Sequence, residues 1–271
     1  MTALLFLAGL FLAGANFGIS AIVACAAGTI TAVLLKFDKK EIETGLYGFS
    51  PTLAGVVLIF LFEPSLTIWF AVIIGGALSA VLQHFFIKRN FPAYTFPFIF
   101  VSWILIFIIR QTEIAKASSI TDSGFEIPLP DWLLTGTNGY AEVIFQSHPL
   151  TGIIFFVAVV ISSRIAGLTA LAASFTGAFL AFLAGVSSED IFLGIYGFNP
   201  VLTAIVFAGN KKSDILWVII GVVITFFIQI ALVNSEILVP FGGVLTFPFV
   251  AGTWVTLVLQ KIGLKKENIQ D

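Results

Sequence analysis

Two threonines, Thr95 and Thr246, stand in identical TFPF tetrapeptides, each two residues ahead of a proline. A threonine hydroxyl both donates and accepts a hydrogen bond, and the proline removes a backbone donor and weakens any helix passing through it. Such a position offers a fixed oxygen to a polar molecule. Glu142, in GYAEVIFQSHPLTG, is a carboxylate just ahead of the apolar run from Leu150. If a helix begins near Tyr140, the carboxylate lies within the apolar layer, where an ionisable side chain marks a functional position. If not, it is a solvated residue at a helix entrance. Phe49, Phe198 and Phe145 are set among these motif residues. Flat aromatic faces beside hydroxyl or carbonyl oxygens suit a small, planar, neutral molecule rich in N–H groups, and offer little to a hydrated ion.

Groups for bond-making chemistry do not assemble. His148 beside Pro149 and His84 near Lys88 read as ordinary helix-end or interface residues. No spacing of carboxylates and histidines suits a metal or a proton relay, and neither a phosphate-binding loop nor a nucleophile with its base and acid is present. The single cysteine, Cys25, has no disulfide partner and reads as a packing residue. No enzyme and no cofactor is expected. The thirteen Lys and Arg are scattered in short loops, so no nucleic-acid surface forms.

The elements that position these residues come in pairs. Gly45 to Gly55 reads GLYGFSPTLAG and Gly194 to Ala204 reads GIYGFNPVLTA; Tyr47/Tyr196, Gly48/Gly197, Phe49/Phe198, Pro51/Pro200 and Leu53/Leu202 match at one offset. The TFPF blocks follow in the same order, trailed by Trp103 and Trp254. Two ordered matches mark a duplicated domain. In each YGF(S/N)P block the proline suits the first turn of a new helix, with Ser50 or Asn199 as its N-cap. Four broken elements, two per half, are expected to converge near the midplane of a membrane, where interrupted backbone must face a cavity or protein.

The chain has 271 residues, 59% of them hydrophobic and 10% charged, far from the composition of a water-soluble domain. Spans are predicted at 2–13, 19–35, 46–61, 66–87 and 94–109, then at 150–161, 166–184, 195–208, 215–233 and 244–259. The first apolar run lacks the basic leader and cleavage region of a signal peptide. An odd number of spans per half inverts the second half relative to the first. With the N-terminus inside, Lys36, Lys39, Lys40, Lys88, Arg89, Arg164, Lys211, Lys212, Lys261, Lys265 and Lys266 are cytoplasmic, and only Arg110 and Lys116 lie outside, as the positive-inside bias requires. The expected fold is therefore an all-α, multi-pass integral membrane protein of two inverted repeats. Each has five transmembrane helices, with broken, re-entrant pore helices. Residues 1–111 form the first repeat, 112–139 an extracellular linker, and 140–271 the second repeat with a cytoplasmic C-terminal tail. The short termini suggest a bacterial inner membrane.

At LYGFSPTLAG, IYGFNPVLTA, the two TFPF blocks and EVIFQSHPLTG, the chain resembles the urea transporter family over nearly its whole length. The resemblance implies a homotrimer in membrane lipid, each subunit passing urea passively through its own narrow pore. By that resemblance Glu142 accepts urea N–H bonds, Phe49 and Phe198 sandwich urea, and Val143 and Phe145 form opposing walls. Thr95 and Thr246 supply the hydroxyls of a middle site, and Leu53 and Leu202 line the constriction. Two departures stand out. Thr2 and Phe6 align with Thr151 and Phe155, so the first-repeat counterpart of Glu142 falls ahead of Met1, where the family has an acceptor, often glutamine; a shortened N-terminus is the expected reason. Ser50 also replaces the usual asparagine. Alternative readings are a channel for another small neutral solute, such as a short amide, ammonia or water, and an ion-coupled secondary transporter, against which the scarcity of intramembrane charge argues.

Overall fold

The computed structural model describes residues 2–119, 129–146 and 148–270, with side chains through 262. In its first part, α1 (Thr2–Ala13) and α2 (Ala15–Leu34) are separated by the extended backbone of Gly14, and are followed by α3 (Lys39–Glu43), α4 (Phe49–Leu61), α5 (Leu66–Lys88) and α6 (Phe96–Thr112). The second part runs α7 (Asp131–Glu142), α8 (Pro149–Ser162), α9 (Arg164–Leu183), α10 (Ser188–Phe192), α11 (Phe198–Phe207) and α12 (Lys212–Ser235), then a 3₁₀ turn (Val239–Phe241) and α13 (Phe247–Gln270). Among the described residues the only strand-like pairing is an isolated bridge between Phe62 and Ala117. Each predicted span has its helix; α3, α7 and α10 are additions the hydropathy did not reveal.

Four helices, α2, α5, α9 and α12, have 20 to 24 residues and are apolar enough to cross a membrane, a length of about 30 Å or more at 1.5 Å per residue. Leu66, Phe70, Phe182, Ile219 and Phe227 are each more than half exposed, as side chains facing lipid are. By contrast α4 has 13 residues and α11 has 10, a rise of roughly 20 and 15 Å, short of the hydrocarbon core.

The chain forms two compact units. The N-terminal unit comprises Leu7–Gly124 with Glu236–Phe247, and the C-terminal unit comprises Met1–Phe6, Phe125–Ser235 and Pro248–Asp271. Within the N-terminal unit, α2, α4 and α5 pack together. The approach is close because small residues line α2: a Cβ on Gly28 would lie 2.3 Å from Pro51 and 2.7 Å from the Tyr47 carbonyl oxygen. The C-terminal unit repeats the contact, since a Cβ on Gly177 of α9 would lie 2.1 Å from the Tyr196 carbonyl oxygen and 2.9 Å from Pro200. Each repeated tyrosine also anchors a small core. Tyr47 packs with Ala32 and Ala80, and Tyr196 with Ala178, Ala181, Ile191 and Phe226. The duplicated sequence thus builds the same local packing twice.

Both YGF(S/N)P blocks start a helix, but not with the expected cap. The N-cap positions of α4 and α11 are Gly48 and Gly197, without a side-chain cap. Ser50 and Asn199 sit inside the first turn and reach sideways, to Gln83 and Gln229. The geometry explains the shift: the glycines continue the preceding turn into the helix, so the hydroxyl and amide are free to cross-link helices. Both TFPF blocks likewise begin helices, with Thr95 as the N-cap residue of α6 and Thr246 just ahead of α13. Proline in a first turn lacks only an N–H that would be unpaired anyway.

Candidate functional site

In the N-terminal unit, Thr95 Oγ1 lies 2.7 Å from Thr246 Oγ1, a bond between hydroxyls 151 residues apart. Both threonines are buried, at 2% and 0% exposure. The segment carrying Thr246 is held against α6 by Trp103 Nε1 donating to the Gly243 carbonyl at 3.0 Å, by Arg110 donating to the Val239 carbonyl, and by the Trp103–Phe247 and Phe107–Phe241 ring contacts. The residue ahead of each threonine is left-handed, Tyr94 at φ 48° and Leu245 at φ 48°. Bulky side chains rarely adopt that conformation. Its occurrence at both copies is backbone strain of the sort that gathers at functional sites.

One shared hydrogen bond uses one hydrogen and one lone pair of the threonine pair, leaving one hydrogen and three lone pairs. The pair can therefore accept from N–H groups and still donate once.

Phe49 opens α4 in the same unit and is 54% exposed, whereas Leu53, one turn on, is 2% exposed. Ser50 donates to Gln83 Oε1 at 3.3 Å. Ahead of this helix, Tyr47 donates its hydroxyl to Glu41 Oε2 and lies 2.7 Å from His84 Nδ1. Because the phenol's one hydrogen is committed to Glu41, its contact with His84 requires the ring nitrogen to donate. Phe37 stacks on His84, centroids 3.6 Å apart. His84 is thus part of a polar cluster at a helix end, a grouping invisible in sequence because its members lie up to 43 residues apart, from Glu41 to His84.

In the C-terminal unit, Glu142 is the last residue of α7, not near the start of a helix, and is half-buried. Val143 follows as C-cap and is half-buried, and Phe145 is left-handed, φ 56°, and buried. The turn closes through Phe145 N–H to the Glu142 carbonyl at 3.1 Å and Gln146 N–H to the Ala141 carbonyl at 3.1 Å. His148 then caps α8, its Nδ1 accepting from Leu150 N–H. α7 is seated by Asn138 Nδ2 donating to the Phe192 carbonyl at 2.8 Å and by Tyr140 donating to the Gly167 carbonyl. It also lies against Gly194, where a Cβ would be 2.5 Å from the Asn138 carbonyl carbon. Phe198 is only 7% exposed and Leu202 is half-buried.

Beneath Phe198, Asn199 ties three helices. Its Nδ2 donates to Gln229 Oε1 at 3.1 Å, its Oδ1 accepts from Phe249 N–H at 3.1 Å, and Gln229 Nε2 donates to the Ile195 carbonyl at 2.6 Å. The YGFNP motif marks Asn199 in sequence, whereas neither partner carries a local signal.

The site residues therefore fall into two sets, each described within its own unit: Phe49, Leu53, Thr95 and Thr246 in one, and Glu142, Val143, Phe145, Phe198 and Leu202 in the other.

The family described as UT, Urea transporter, matches residues 1–261. The chain is similar to Urea transporter 1 of Rattus norvegicus, 25% identical over 224 residues, and of Mus musculus, 25% identical over 230 residues. It is also similar to Urea transporter 1 of Ovis aries, 24% identical over 228 residues. In each case the match covers 77% of this chain and 58% of the relative, so the chain spans less than two thirds of the length of these proteins.

Proposed function

We propose, from the premise that this chain belongs to the urea transporter family, that it lets urea cross a membrane passively, through a narrow path in each subunit. The observation that carries the reading is the buried Thr95–Thr246 hydroxyl pair, preceded on both sides by left-handed residues. Urea is planar and neutral, with N–H donors on two sides and a carbonyl acceptor. The pair's spare lone pairs accept from its N–H groups, and its spare hydrogen serves the carbonyl. Leaving those groups unpaired in a dry constriction costs about 1–3 kcal/mol each, so the hydroxyls lower the barrier.

In this reading Glu142 accepts further N–H bonds, and its acceptance does not depend on moving a proton. Phe49 and Phe198 flank the flat faces of urea, Val143 and Phe145 oppose them, and Leu53 and Leu202 keep the path narrow and apolar. The two repeats, residues 1–111 and 140–271, are inverted, with 112–139 external and both termini cytoplasmic. The placement of Lys and Arg and the shortness of α4 and α11 support that arrangement. The functional assembly is a homotrimer in lipid.

Solute entry into proteoliposomes tests the reading. Urea should enter many-fold faster than into protein-free liposomes, and faster than acetamide or ammonia relative to the same control. Selective acceleration of one of the other solutes, with urea at the control rate, would contradict it.

A further inference from the structure

Ser79 on α5 and Ser102 on α6 are fully buried, and neither hydroxyl has a hydrogen-bond partner among the described residues. In helices a serine hydroxyl ordinarily returns to a carbonyl of the preceding turn, so both point elsewhere. The helices α4, α5 and α6 pack on one another in the N-terminal unit. A Cβ on Gly75 would meet Leu105 at 3.1 Å, Leu58 at 3.7 Å and Ala54 at 3.8 Å. Ser79 lies one turn beyond Gly75 on the same face of α5, and Ser102 lies three residues before Leu105 on the same face of α6. The short connection between α5 and α6 makes them antiparallel neighbours, and by that register both serines fall on the faces that meet near Ala54.

The C-terminal unit shows what that junction holds when it is filled. By the repeat, Ala54 corresponds to Thr203, and Ser102 to Thr253, each seven residues past the threonine of its TFPF block. Ser79 corresponds to Thr225, since each lies four residues past a helix-packing glycine, Gly75 or Gly221. There Thr203 Oγ1 donates to the Asn199 carbonyl at 3.0 Å and, its one hydrogen so used, accepts from Thr225 Oγ1 at 2.9 Å. Thr225 presses on Gly252, beside Thr253, whose own hydroxyl has no hydrogen-bond partner among the described residues, so the Thr203 hydroxyl serves the counterpart of Ser79 and not that of Ser102. Three threonines thus occupy the place that Ala54, Ser79 and Ser102 occupy in the other unit, which has three fewer methyl groups and one fewer hydroxyl.

We propose that a buried water molecule sits at the α4–α5–α6 junction, bound by Ser79 Oγ and Ser102 Oγ where the hydroxyl of Thr203 stands in the second copy. The ligand must donate and accept, and must fit beside Leu58 and Leu105, which restricts it to the size of water. Buried waters of this type bridge polar groups that protein atoms do not reach. Ala54 adjoins Leu53 in the chain, but neither serine nor Ala54 is assigned to urea, and the test reads stability and density rather than flux.

The test is thermal unfolding in detergent of Ser79→Ala, Ser102→Ala, Ala54→Thr and the pair Ala54→Thr with Ser102→Ala, together with a density map at about 2 Å resolution or better, fine enough to show ordered water. With water bound, each serine variant removes an anchor and lowers the melting temperature by a few degrees. Ala54→Thr puts a hydroxyl against Ser79 and displaces the water, so in that background Ser102→Ala removes an unpaired hydroxyl and raises the melting temperature. The map should show a peak within hydrogen-bond distance of both serines. An unchanged or raised melting temperature in either single serine variant, or a map without that peak, overturns the proposal.

Discussion

Thr95 and Thr246 share a 2.7 Å hydrogen bond between their hydroxyl oxygens while lying 151 residues apart, each in the same tetrapeptide and each following a left-handed residue. If urea passes this pair, it meets oxygens that are already oriented, so no ordering cost falls on its arrival, and the pair should answer to substitution as a unit.

Thr95→Val and Thr246→Val keep shape and branching and remove one oxygen. Each should slow urea flux about five- to thirtyfold, the effect of roughly 1–2 kcal/mol on a barrier. The double variant should be slower than either single one, by less than the product of the two effects, because both remove the same shared bond. Initial flux per unit of protein in liposomes measures this. Wild-type rates in both single variants would mean that the threonines serve only their own backbone.

Glu142 closes α7 and leads into the left-handed turn at Phe145. If it acts by accepting hydrogen bonds, Glu142→Gln should keep much of the flux and Glu142→Leu should lose about tenfold or more, the cost of an unpaired urea N–H. Equal flux through both variants would place Glu142 outside the path.

The repeated glycines Gly45 and Gly194 separate conformational strain from steric clash. Their φ angles are 79° and 87°, but a Cβ on Gly45 meets nothing within 4 Å, while one on Gly194 is 2.5 Å from the backbone of Asn138 and Gly139. Gly45→Ala should cost about 1–2 kcal/mol, the penalty of a left-handed L-residue. Gly194→Ala should cost clearly more and loosen α7, read as a lower melting temperature and faster proteolysis between Asp131 and Glu142. Equal melting temperatures would deny that α7 is seated on this turn.

Asn199 should be a stability residue first. Asn199→Ala withdraws an acceptor from Phe249 N–H and a donor from Gln229, inside a buried network, and should cost about 2–4 kcal/mol. Asn199→Ser should fall between alanine and wild type, since Ser50 still reaches Gln83 in the other copy. Thermal unfolding of the three proteins decides the order.

How much of this was legible in the sequence depends on the range of the signal. Ten apolar spans and the paired motifs were readable because hydropathy and identity are local properties, and Thr95 and Thr246 emerged from identity alone. The helix α7 was not. Its DWLLTGTNGYAE is rich in Gly, Thr and Asn, and reads as a linker; it is helical because small residues let it lie against Gly194 and against α8, where a Cβ on Gly152 would be 2.4 Å from the Thr137 carbonyl oxygen. Pro130 followed by Asp131 was the one local sign of a helix start there. Ser50 and Asn199 look like caps in sequence because capping rules count distance along the chain, whereas their partners, Gln83 and Gln229, lie on the next long helix. The left-handed Tyr94 and Leu245 carry no sequence mark at all.

The central claim, passive conduction of urea along neutral hydroxyls, aromatic faces and one accepting carboxylate, is tested most directly by urea uptake into proteoliposomes with and without an imposed proton or sodium gradient, at matched membrane potential. The account requires the same initial rate under all three conditions and no accumulation above the external concentration. A several-fold rise with either gradient, or accumulation against the urea gradient, would contradict it.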